Sequence, residues 1–99
     1  MEDSLSREDL IAAQVIYKKL TTMMCDLLKK SDIDSADIVV SILTFLNAEW
    51  ISNICATNNI SSKTAYEILR RKLKSIVEGS QMKEAIAEKV KQIEKEAKQ

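Results

Sequence analysis

Asn59-Ile60-Ser61-Ser62-Lys63-Thr64-Ala65-Tyr66-Glu67-Ile68-Leu69-Arg70-Arg71 reads as a turn, a serine-capped helix start, an apolar inner face and a basic end. Asparagine tolerates the left-handed backbone that tight turns demand, so Asn58-Asn59 closes one helix. A serine hydroxyl accepts an unpaired amide of the first helical turn, so the next helix begins at Ser61 or Ser62. Ala65, Ile68, Leu69, Leu73 and Ile76 follow at helical spacing, which predicts an element over 61–78 with an inward face, stopped by Gly79-Ser80.

Upstream, residues 35–57 form the most apolar segment, with Ile38, Val39, Val40, Ile42, Leu43, Phe45, Leu46, Trp50, Ile51, Ile54 and Cys55. A membrane span needs about 20 mainly apolar residues. Asp37, Asn47 and Glu49 break this run, so a buried central helix is expected, with a possible interruption near Asn47 and Trp50 as a core anchor. Before it, Leu10, Ala13, Tyr17, Leu20, Met24 and Leu27 recur every three or four residues, the seam of a helix over 6–30. Ser6 caps that helix, Glu8 and Asp9 suit its positive end, and Lys29-Lys30 suit its negative end. Such a seam faces either a core or a second copy. The tail forms a fourth amphipathic helix over 81–98, with Met82, Ile86, Val90, Ile93 and Ala97 on one side. Glu88 with Lys91 and Glu94 with Lys98 are spaced to pair along its surface.

These elements predict an all-α fold: a compact bundle of four helices in a single domain over 1–99. No proline and one glycine leave little material for β-turns, and 45% hydrophobic with 30% charged residues is ordinary for a soluble domain. A globular chain of 99 residues buries roughly two-thirds of its unfolded surface. Fifteen basic and fifteen acidic residues cancel, but unevenly along the chain. Residues 31–59 hold Asp32, Asp34, Asp37 and Glu49 and no base; residues 61–76 hold Lys63, Arg70, Arg71, Lys72 and Lys74 against Glu67.

A basic helix behind a tight turn is the form of the second half of a helix-turn-helix, whose first turn enters the DNA major groove. In that reading Ile54 and Cys55 brace from the preceding helix, Asn59 takes the turn, and Ile60, Ala65 and Ile68 close a small core. The segment from Ile60 to Arg71 resembles the recognition helix of transposase- and invertase-type helix-turn-helix domains: an apolar residue and serine, then threonine, an apolar residue and tyrosine, then a hydrophobic and basic end. The resemblance covers about residues 51–71 and departs from the family at Asn58, where an apolar residue is usual, and at Asn59, where glycine is. It implies binding of double-stranded DNA and no transposase chemistry. By the resemblance, Ser61, Ser62, Lys63 and Tyr66 contact bases or nearby phosphates, Glu67 accepts from a cytosine amino group, and Arg70, Arg71 and Lys74 bind backbone phosphate. The plainer alternative is that Ser61-Ser62 caps a helix whose basic end is solvated.

An enzyme is not expected. There is no histidine to serve as a general base or metal ligand, and the acids cluster where helix capping explains them. No cofactor, metal or small-molecule substrate is expected, since Asp32, Asp34 and Asp37 lack the remaining oxygens of a calcium loop. Cys25 and Cys55, thirty residues apart, are expected to be buried free thiols in a reducing cytoplasm. The acidic N-terminus is unlike a secretory leader. The rival to DNA binding is a helical protein–protein interaction module, an adaptor, inhibitor or small chaperone; on either reading a homodimer through the first or last helix, or another protein partner, is expected, and no membrane role. The placement of Lys63, Arg70, Arg71 and Lys74 separates the two: a face shared with Ser61-Ser62 favours DNA, and pairing with the acids of residues 31–49 favours the module.

Overall fold

The computed structural model describes residues 5–98. Its elements are α1 (Arg7–Lys30), α2 (Ala36–Asn58), α3 (Ser62–Val77) and α4 (Ser80–Ala97), and no strand occurs among the described residues. The fold is all-α with four helices, as expected, and each boundary lies within one residue of its predicted place. The chain divides into two units, Met1–Asn59 carrying α1 and α2, and Ile60–Gln99 carrying α3 and α4.

Local chemistry accounts for the ends. The Ser6 hydroxyl accepts from the Asp9 amide at 3.1 Å, with Glu8 and Asp9 in the first turn of α1 and Lys29 and Lys30 in the last. Asp32 takes a left-handed conformation (φ 55°) and lets the Ile33 amide reach back to the Leu28 carbonyl at 2.9 Å. That closure usually brings an apolar pair with it, and Leu28 and Ile33 are both half-buried. Asn59 ends α2 in the same left-handed region, at φ 52° and ψ 47°, donating its amide to the Cys55 carbonyl. Gly79 does more than stop α3: it is the N-cap of α4, so the two helices of the second unit are joined through Glu78 and Gly79 alone. These two helices contact each other.

α2 is continuous through Asn47, contrary to the interruption considered above. The Asn47 side-chain amide donates to the Leu43 carbonyl at 2.9 Å instead of competing for the chain's own amides. Ser41, Thr44, Thr57 and Asn58 do the same toward the carbonyls four residues earlier, at 2.8 to 3.0 Å. By length and composition α2 could cross a membrane, and none of its apolar window is buried by its own chain.

Burial departs from the expected core positions. No residue of α1 or α2 is buried, and Ala65 on α3, at 4% exposure, is the one buried residue among those described. Trp50, expected to anchor a core, is 60% exposed. Leu10, Tyr17, Leu20 and Leu27 of the α1 seam are exposed, as are Ile86, Val90 and Ile93 of α4. Cys25 is exposed and Cys55 half-buried, and both are free thiols, so the expectation of buried thiols fails for Cys25. Hydrophobic spacing identifies the side of a helix that wants cover without naming what supplies it.

Candidate nucleic-acid interface

All eight residues proposed for DNA contact lie at the start of α3 or along it. At 3.6 residues per turn, Ser62, Lys63, Tyr66, Glu67, Arg70 and Lys74 share one side, with Arg71 on its flank. Seven of the eight are exposed and Glu67 is half-buried. Opposite them Ala65 is buried and Ile68 half-buried. Lys63, Arg70 and Lys74 therefore share their face with Ser62.

Ser61, Glu67 and Arg70 are already engaged. The Ser61 hydroxyl accepts from the Thr64 amide at 3.1 Å and donates to the Thr64 hydroxyl at 2.9 Å, so Ser61 is the N-cap of α3. An N-cap hydroxyl is worth about 1 kcal/mol, so Ser61→Ala is expected to cost about that much in urea denaturation at fixed protein concentration, with Ser61→Asp close to neutral. A cost near zero would show that the cap does not hold α3. The Glu67 carboxylate accepts from Arg70, from Nη2 at 3.2 Å and Nε at 3.4 Å. Both partners are about half exposed, so the pair is worth at most about 1 kcal/mol and gives way readily to a phosphate. While the pair is formed, one carboxylate oxygen of Glu67 is occupied by Arg70.

The surface also carries something the motif reading missed. Tyr66, Leu69 and Leu73 are exposed along the Ser62 side of the same helix, with Val77 one turn further on. Helical spacing predicts Leu69 and Leu73 on the inward face, whereas both are exposed; Tyr66, Leu69, Leu73 and Ile76, spaced three, four and three apart, carry the signal of an association seam. The bracing residues Ile54 and Cys55 are half-buried on α2, which belongs to the other unit. On α4, Glu88 with Lys91 and Glu94 with Lys98 form no ion pair among the described residues. No group of three His, Cys, Asp or Glu that could hold a metal occurs among the described residues. Comparison with protein-family models, with curated proteins and with solved structures finds no match to this chain.

Proposed function

We propose that this chain is a non-enzymatic helical interaction module whose apolar faces are covered by another protein chain. One observation carries the reading: α2 exposes Ile38, Val40, Leu43, Phe45, Leu46 and Trp50, which lie around most of its circumference. One strip, along Asp37, Ser41, Thr44, Ala48 and Ser52, is small or polar, and Asn47, Glu49 and Asn53 are polar positions on the other sides. A helix apolar on nearly all sides belongs in an interior. Fully burying a Leu, Ile or Phe side chain is worth about 1.5–3 kcal/mol. Leaving six such groups between 43% and 72% exposed forgoes about half of that at each, a sum comparable with a whole domain's stability, about 5–15 kcal/mol. A protein cover is favoured over a bilayer because Glu49 sits near the middle of α2, and a charge there costs on the order of 3 kcal/mol in hydrocarbon. The test is whether the chain's mass, helicity and melting temperature depend on its concentration.

A second reading, DNA binding through α3, rests on the shared exposed face of Ser62, Lys63, Tyr66, Arg70 and Lys74. On this reading, fluorescence anisotropy with mixed duplex DNA at about 50 and 200 mM salt shows affinity falling steeply with salt, and a shallower slope for Arg70→Ala/Arg71→Ala. Absence of binding at the lower salt, where even non-specific readers associate, removes it.

A further inference from the structure

We infer that the cover over α1 is α1 of a second copy, running antiparallel and centred between Lys18 and Lys19. This rests on the interaction-module reading and adds the identity of the partner, the helix used and its direction. The seam of Leu10, Ala13, Tyr17, Leu20, Met24 and Leu27 is exposed except for half-buried Met24. Its residues fall at the a and d positions of a heptad, beginning at Leu10. In an antiparallel pair, a positions meet d positions of the partner. Leu10 then faces Leu27 of the other copy, Ala13 faces Met24, and Tyr17 faces Leu20, so the smallest side chain is set against a long flexible one in every occurrence. A parallel, in-register pair would set Ala13 against Ala13, leaving a void, and Tyr17 against Tyr17.

Charge chooses the same direction. α1 is acidic in its first turn, at Glu8 and Asp9, and basic in its last, at Lys29 and Lys30. Antiparallel packing places Asp9 of each copy beside Lys30 of the other on the flank of the seam, and opposes the two helix dipoles. Ile16 and Met23, both 58% exposed, meet on the same flank. Parallel packing would put like charges together at both ends. Lys18 and Lys19 project from the far side of the helix and stay in water in either arrangement.

The decisive experiment uses the full chain carrying Ala13→Cys and Met24→Cys in a Cys25→Ser/Cys55→Ser background. It is oxidised at a concentration where sedimentation shows the associated species, and the linked peptides are identified by mass spectrometry. The expected result is a disulfide between position 13 of one copy and position 24 of the other. Links of 13 to 13 and 24 to 24 overturn the direction, and an associated species with neither link overturns the use of α1; in both cases the module reading stands. A poorly helical monomer overturns self-pairing and leaves a different protein as the cover. A monomer with cooperative unfolding at tens of micromolar overturns both. Should the cysteine variant fail to fold, charge exchange serves instead. Asp9→Lys and Lys30→Asp are each expected to weaken dimerisation about fivefold, and the double exchange to restore most of it. Single exchanges that leave the affinity unchanged or tighten it would overturn the antiparallel pairing.

Discussion

Diluted from about 100 to about 1 µM, this chain is expected to lose helical signal and to melt about 5–10 °C lower. For a folded dimer in equilibrium with unfolded monomers, the melting temperature shifts by an amount set by the unfolding enthalpy. At about 0.7 kcal/mol per residue, two chains of 99 residues absorb an enthalpy that yields a shift of this size for a hundredfold dilution. The physical reason is the near absence of interior: α1 and α2 bury no residue, and α3 and α4 bury Ala65 alone. In proteins most of a helix's stability comes from packing an amphipathic face and little from intrinsic propensity. Circular dichroism melts across the dilution series check this directly. A cooperative transition at a constant temperature would mean that the single chain suffices, and the interaction reading would be abandoned.

The second large effect is expected at Phe45. It is 72% exposed, the highest among the large hydrophobics of α2, and truncating an ordinary surface residue changes stability by no more than about 0.5 kcal/mol. If α2 is enclosed by a partner chain, Phe45→Ala instead removes a buried aromatic ring at a cost of about 3–5 kcal/mol. Chemical denaturation of wild type and variant at one shared concentration distinguishes the two by an order of magnitude. A near-neutral substitution would place Phe45 in solvent within the working assembly and remove the main support for enclosure of α2. Adding uncharged phospholipid vesicles to the dilute protein extends the test. Helicity restored by vesicles but not by raising the protein concentration would make the bilayer the cover.

Helix number and helix ends were legible because each is set by short-range chemistry. Ser6 and Ser61 accept the third amide beyond them, Asn59 adopts the left-handed turn, and cations collect in the last turn of α1, all within a few residues of chain. What lay beyond reach was long-range. Trp50 and Leu20 have the spacing of core residues, and spacing is the same whether the covering surface belongs to this chain or to another. Asn47 misled for a different reason: an amide in a helix interior signals competition for the backbone unless it folds onto the carbonyl four residues back, as it does here. In the candidate interface the residue types were identified by the motif, but the Glu67–Arg70 pair and the exposed Leu73 required side-chain geometry.

The polar side chains of α2 turn back onto the carbonyls of their own helix, from Ser41 and Thr44 through Asn47 to Thr57 and Asn58. Those five side chains make no directional demand on whatever lies against them, and on α2 such demands are left to Asp37, Glu49, Trp50, Ser52 and Asn53. On the interaction-module reading, contact along those five positions would be held by area more than by matched groups. On the same reading, discrimination between one binding mate and another would fall to elements with fixed polarity, the charged ends of α1 and the basic side of α3, and substitutions there should alter choice of mate before they alter strength of adhesion.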